Sequence, residues 1–449
     1  MNKVKTTLNI EKPKHQQLIM SGIWQPSRKD WKEVIEDYLV ISRKRFNNKL
    51  AMFFLQKDLL LHIDTSQKSI RMMKDVIKNP ENITKYSPQF IPDDPDEIIQ
   101  ESKKQLVENQ LHLKTFKDIS DGHIWRMFNY NYSLLYFLGM HPSAGYLDPG
   151  PAFFNEFMHW SNTIIDLNIK QFILCDITNY ARIGDLIIVN NDNSIEIQEL
   201  KSGKSKRGEQ RKARLKNQEE KRKQFEELAN INETTFEGKR FKILNTDVPF
   251  ESSLNEIENL IISSEKDIIS GKNISSHLTC VCIDFSDSKK LKTIKDINKE
   301  IDRFKNPLEK DDIIFTLFSH QRNAYSPNLI PYSIYPISET CISDLMFGKK
   351  TIIYFLNISE FCRQFESKGW KVIKKISDFK ENEEINFFAL IHKNGLNVQV
   401  TWPLINNIIF ETLKIKNLIL LYEEIYKNID KRNDTLYFPN FSSKEQIWH

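Results

Sequence analysis

Residues 182–204 read RIGDLIIVNNDNSIEIQELKSGK. Two β-branched runs flank a polar turn, the pattern of a hairpin, with Asp185 entering the first limb and Glu199 and Lys201 closing the second. Side chains alternate along a strand, so Ile195, Ile197, Glu199 and Lys201 share one face while Glu196, Gln198 and Leu200 take the other. A loop over 191–194 sets Val189 against Glu196 and Asp185 against Leu200, on the wrong face for Glu199. A single bulge, or one residue more or less in the loop, brings Asp185 level with Glu199 or Lys201 instead. Three charges then converge on one spot.

Two carboxylates at that distance repel unless a cation lies between them. Mg²⁺, or Mn²⁺ in its place, is the hard cation suited to a site of carboxylate, backbone carbonyl and water. Asp185, Glu199 and the carbonyl of Leu200 are the candidate metal ligands. Lys201, a compact charge with exchangeable protons, is suited to orienting a polarised water and balancing charge on a phosphate. Such an arrangement hydrolyses phosphodiesters.

Working outward, QFILCDIT reads as a strand before the hairpin, and FFNEFMHWSNTIIDL before it reads as a helix carrying Glu156. A charged helix is expected over 208–230. Helix, three strands and helix follow one another here, and Asp185, thirteen intervening residues and Glu199-Leu200-Lys201 together resemble the PD-(D/E)xK nuclease superfamily. The resemblance covers about a sixth of the chain. It implies a restriction-endonuclease-like mixed sheet flanked by helices, metal-dependent hydrolysis and a nucleic acid substrate. The acidic residue that members place on the preceding helix is matched by Glu156, with Asp166 and Asp176 as rivals. RecB-like branches carry a polar residue on the helix after the ExK strand; Gln218 matches it, and Arg222 lies one turn on, at i+4. Gly184 stands where a Pro often precedes the Asp, and no Tyr follows Gln218.

The run after Lys201 brings Lys204, Lys206, Arg207, Arg211, Lys212 and Arg214 together with few acids. A charge run is ordinarily a solvated face. Beside a metal site it suits phosphate contact, which supplies sequence-independent affinity for nucleic acid. The formal net charge of +4 over 449 residues carries no such argument by itself. His123, Trp125, Tyr130, Tyr132 and Tyr136 offer rings that stack bases, but Trp125, Phe128 and Tyr132 keep helical spacing, which favours core packing.

Length predicts more than one domain. The expected fold class is α/β, more broadly α+β: a mainly helical region over 1–118, the nuclease-like core over 119–245 and a C-terminal α/β unit over 246–449. Apolar spacing predicts helix from residue 30 to about 78 and again to about 115, with the Pro-rich YSPQFIPDDPDE between. Strands are expected in HLTCVCIDF, DIIFTLFS, KTIIYFLNI and FFALIHK, and helices over 296–304 and 404–426. With 40% apolar and 28% charged residues the composition is that of a folded soluble protein. No window suits a membrane span, no signal peptide is evident, and five cysteines without a CxxC pair fit a reducing cytoplasm. Walker-type, GxGxxG and GxSxG motifs are missing, and His141 and His159 lack zinc-ligand spacing.

DNA is the expected substrate, with RNA open. Restriction, repair and anti-phage defence are the settings that the resemblance implies. The C-terminal unit is suited to recognition, a protein partner or a second copy of the chain. The alternatives are a nucleic acid binding or scaffolding protein on a remnant nuclease fold, and a protein interaction module.

Overall fold

The computed structural model describes residues 28–86, 94–139, 157, 169–179, 181, 183–198, 209–236, 238–287, 296–304, 314–319, 329–378, 387–428 and 435–442. The N-terminal part is helical: α1 (Arg28–Lys44), α2 (Lys49–Lys78), α3 (Pro95–Met127) and α4 (Tyr132–Gly139). Trp31, Val34, Ile35, Tyr38 and Leu39 are all buried, as their three- and four-residue spacing predicts. The helical region expected over 30–78 is made of two helices, because Asn48 starts a second one by accepting a hydrogen bond from the Ala51 amide at 3.0 Å.

Helix α3 begins at Asp94, whose carboxylate accepts from the Asp96 amide at 2.8 Å, with Pro95 in its first turn. It continues well past the expected end near 115. Left-handed Asn129 and Tyr130, with φ of 47° and 57°, then break the chain away into α4. Arg126 donates to the carbonyls of Ser42 and Arg43, both at 2.8 Å, and so closes the C-terminus of α1.

The next sheet is a three-stranded antiparallel meander, β1 (Ile169–Leu174), β2 (Leu186–Asn190) and β3 (Ile195–Gln198) in that order. Leu186, Ile187, Ile188 and Val189 of the central strand are all buried, so both faces of β2 are covered. Both outer edges of the sheet are met by side chains. From α2, Gln56 donates its amide to Phe172 O at 3.0 Å and accepts from Leu174 N at 2.8 Å. On the other side, α5 (Glu209–Ile231) turns Asn230, Glu226 and Arg222 towards the main chain of β3.

The remainder is α+β. Strands β4 (Glu233–Phe236) and β5 (Lys239–Pro249) form a hairpin, and β13 (Thr435–Ser442) returns to pair with β5 in parallel. A four-stranded antiparallel sheet runs β6-β7-β9-β8, from β6 (Ile269–Ser275), β7 (Leu278–Asp284), β8 (Ile314–Phe318) and β9 (Lys350–Asn357). One of its faces sends Cys280, Cys282, Ile352 and Tyr354 into the main core; Val281, Ile283, Ile353 and Phe355 pack on the other beneath α7 (Ile297–Arg303). α6 (Leu254–Asp267) precedes this sheet in sequence, α8 (Glu339–Met346) lies between β8 and β9, and α9 (Ile358–Glu366) follows β9. A second meander, β10 (Lys371–Lys375), β11 (Phe387–Lys393) and β12 (Leu396–Thr401), precedes α10 (Trp402–Phe410) and α11 (Ile415–Asn428). The helix expected over 404–426 is therefore broken. Glu411 is buried at the break, accepting from Ile330 N at 2.6 Å and Asn407 Nδ2 at 2.9 Å, and Thr412 has φ of 50°.

The divisions drawn at 118/119 and 245/246 fall inside α3 and β5, and one apolar cluster runs from Trp31 through the meander to Tyr422. Charge also crosses between the two ends of the chain. Lys32 of α1 binds Asp344 at 2.7 Å, and buried Lys350 lies 3.5 Å from Asp344 and 2.6 Å from Glu265. Among the described residues no helix is long and apolar enough to cross a membrane.

Gln56→Leu keeps the bulk but strands a carbonyl and an amide of β1. Urea unfolding is expected to show a loss of about 1–3 kcal/mol; an unchanged midpoint would mean that the amide does not close this edge.

Candidate functional site

The hairpin turn decides the register. Asn190 N donates to Ser194 O and Asn193 N to Asn190 O, each at 2.9 Å, while Asn193 is left-handed with φ of 65°. The loop is therefore three residues, 191–193, the form in which a turn ends on a residue of positive φ. Asn supplies that conformation at low cost. Asp192 reinforces the turn, accepting from Ser194 N at 2.9 Å and Ser194 Oγ at 2.6 Å, and these bonds lower its carboxyl pKa. Val189 consequently faces Ile195, and the ladder runs to Leu186 opposite Gln198. The loop over 191–194, with Val189 against Glu196, is thus corrected by one residue.

At Asp185 this ladder slips by one residue, because Gln198, already opposite Leu186, also takes the Asp185 amide. That amide donates to Gln198 O at 3.0 Å and the Asp185 carbonyl accepts from Cys175 N at 2.9 Å, so the Asp185 main chain is fixed from both neighbouring strands. Gly184 precedes it with φ of +73°, and a Cβ there would meet Ile197 Cγ2 at 2.3 Å. Proline, locked near −65°, does not fit this backbone. Asp176 lies in the 3₁₀ turn that follows β1, beside the residue paired with Asp185. Partial burial, and after it the Asp185 carboxylate, push the Asp176 carboxyl up to about 6, while Lys117 of α3 acts in the opposite sense.

Beneath this pair, Asp121 of α3 is almost wholly buried and takes both donors of Asn179: the amide N at 2.6 Å and Nδ2 at 2.7 Å. Thr178 Oγ1 donates to Cys175 O at 2.8 Å and accepts from Ala181 N at 2.9 Å. The connection from β1 to β2 is thus pinned on its inner side. Burial raises the Asp121 carboxyl to about 7, and the Asn179 bonds oppose the shift. Sequence reasoning passed over Asp121, Asn179 and Lys117. The pair Asp121-Gly122 reads as a helix end, yet Gly122 is mid-helix, where a Cβ would meet Ser333 Oγ at 2.4 Å.

Of the predicted site residues, Asp185 is placed at the mouth of the hairpin, and Asp176 beside it. Glu156, Asp166, Glu199, Leu200, Lys201, Lys204, Lys206 and Arg207 lie outside the described residues. Arg211, Arg214 and Gln218 lie on α5, the charged helix expected over 208–230. Arg222 on the same helix donates Nη1 to Ile197 O at 3.3 Å and Nη2 to Glu219 at 2.6 Å. Among the described residues no three His, Cys, Asp or Glu side chains converge on a metal position.

His123, Trp125, Phe128 and Tyr130 are buried, with the His123 ring 5.2 Å from Phe46, so these rings serve the core and not base stacking. Burial, and then Arg126, lower His123 to about 3, leaving it neutral. All five cysteines are buried free thiols. Compared with known proteins, the chain matches no family model, no curated sequence and no solved structure.

Two measurements check this construction. Gly184→Ala adds a strained φ and a clash, and is expected to cost about 2 kcal/mol or more in urea unfolding; a neutral result would contradict the packing against Ile197. Asp121 has a folded-state pKa above its unfolded value, so its contribution to stability is full below about pH 4 and is lost as the pH rises through about 7. The stability gap between wild type and Asp121→Asn should therefore narrow from pH 4 to pH 8. A gap independent of pH would remove the buried-acid assignment.

Proposed function

We propose that the hairpin and its flanking helices form the centre of a metal-dependent nuclease of the PD-(D/E)xK type, with a restriction-endonuclease-like core over about 120–240. The observation that carries this reading is the placement of Asp185. It stands at the head of a buried central strand, bonded to both neighbours, beside Asp176, a second carboxylate that burial and, after it, the Asp185 charge discourage from ionising. Crowded carboxylates on a rigid support are what a divalent cation relieves. Glu199-Leu200-Lys201 follows Gln198, the last residue of β3.

In this reading Asp185, Glu199 and the Leu200 carbonyl hold Mg²⁺ or Mn²⁺, and Glu156 or Asp176 completes the acidic set. The ion would supply positive charge against the phosphodiester. Lys201 holds the attacking water in line and offsets charge gathering on the phosphate. The basic run of Lys204, Lys206, Arg207, Arg211 and Arg214, with Gln218, carries the backbone of DNA past the site through charge neutralisation. Arg222 contributes through the main chain of β3. A nuclease of this build suits restriction, repair or defence against phage.

The test is incubation of the purified protein with linear duplex DNA, circular duplex DNA and RNA in Mg²⁺, Mn²⁺ or EDTA. Cleavage is expected with either metal and none with EDTA. Asp185→Asn and Lys201→Ala are each expected to lower kcat by about 10²-fold or more while retaining DNA binding in EDTA. A wild-type protein that retains DNA without cutting any of these substrates would instead be a non-catalytic binder.

A further inference from the structure

Among the described residues the strand that leads into Glu199-Leu200-Lys201 has no fourth strand beside it, since β3 is the edge of its sheet. Its outward polar groups are met by one stripe of α5. Asn230 Oδ1 accepts from Ile195 N at 3.1 Å, and Asn230 Nδ2 donates to Ile195 O at 3.4 Å. Two strand residues on, Glu226 Oε1 accepts from Ile197 N at 2.9 Å and Arg222 Nη1 donates to Ile197 O at 3.3 Å.

The match is geometric. Residues 222, 226 and 230 are spaced by four, so they share a helical face and climb about 6 Å per step. Alternate strand residues repeat every ~6.7 Å. A helix lying alongside a strand can therefore meet each outward main-chain pair in turn, as a neighbouring strand would. Phe225 and Leu228 on the adjoining stripe are fully buried, with Phe225 against Phe128 at 5.7 Å, which keeps the helix from sliding. Arg222 is oriented by Glu219 at 2.6 Å and has Nε 3.9 Å from Glu226.

We propose that Glu226, assisted by Arg222 and Asn230, is a positioning residue: a side-chain clamp that stands in for a missing strand and fixes the height and register of β3. Glu226 touches neither substrate nor metal in this proposal; it acts on the Ile197 main chain, two residues before Glu199. A carboxylate suits the task because a charged acceptor makes a stronger bond to an amide than a neutral one. The proposal rests on the nuclease reading for its catalytic consequence, but the clamp itself does not.

Amide hydrogen exchange and cleavage kinetics on the full chain test the two parts separately. Glu226→Ala is expected to speed exchange at the Ile197 amide by about tenfold or more. With Mg²⁺ it should lower kcat by about tenfold or more, leave KM and DNA affinity in EDTA within about twofold, and raise the Mg²⁺ concentration for half-maximal rate. Glu226→Gln, whose amide oxygen still accepts, should recover most of both effects, and Glu220→Ala, an exposed change on the same helix, should show neither. Unchanged exchange at Ile197 in Glu226→Ala overturns the clamp. Faster exchange with unchanged kcat reduces it to a structural contact and overturns its positioning role. Should Glu226→Ala fail to fold, the same comparison is made with Glu226→Gln against Glu226→Lys, which reverses the charge at the bond. Absence of cleavage by the wild type defeats the nuclease reading and leaves the exchange measurement to decide the clamp.

Discussion

A strand buried on both faces must still have neighbours for its own neighbours. Strand β2 is apolar along its length and is bonded on both sides, but β1 and β3 each present a row of polar main-chain groups where the meander stops. Leaving such groups dry costs more than most contacts in a protein return. Here the solution is helical. A carboxamide from α2 serves one edge, and a carboxylate, a guanidinium and a carboxamide from α5 serve the other. The placement of Asp185 depends on this closure, because a strand free to slip by one residue would turn its carboxylate to the opposite face.

Much of this was legible in the sequence where the signal was local. The three strands and charged helix over 169–231 follow from alternation, β-branching and the Asn-Asp-Asn turn, and the N-terminal helices follow from apolar spacing. The exact register was not legible, since a three-residue and a four-residue loop differ only in whether Asn193 takes a left-handed backbone. Nor was the extent of α3, where Asp-Gly in mid-helix reads as a stop although Gly122 is there to admit Ser333. Gln56, Asp121 and Glu226 each look like solvated helix residues. Their roles appear only when a distant strand lies against them, and no periodicity within a helix carries that information.

The charges near the site divide into those that build and those left to act. Asp121 faces inward and holds the β1–β2 connection through both donors of Asn179, and Arg222 closes an edge. Asp176 lies beside Asp185, where burial and, after it, the Asp185 carboxylate oppose its ionisation. Further off, Lys32, Asp344, Lys350 and Glu265 tie the first helix to the four-stranded sheet, with Lys350 buried among its acidic partners. Paired burial of this kind costs desolvation and is tolerated where removing either partner would cost more.

The parallel pairing of β13 with β5 has a consequence for synthesis. Residues 250–434 separate the two strands, so a chain emerging from the ribosome can form the β4–β5 hairpin early but must leave one flank of it open until the last strand arrives. Pairing across such a separation closes slowly. Through that interval the exposed side of β5 is a place for other nascent chains to add, and a chaperone holding it would shelter the step on which the finished sheet waits.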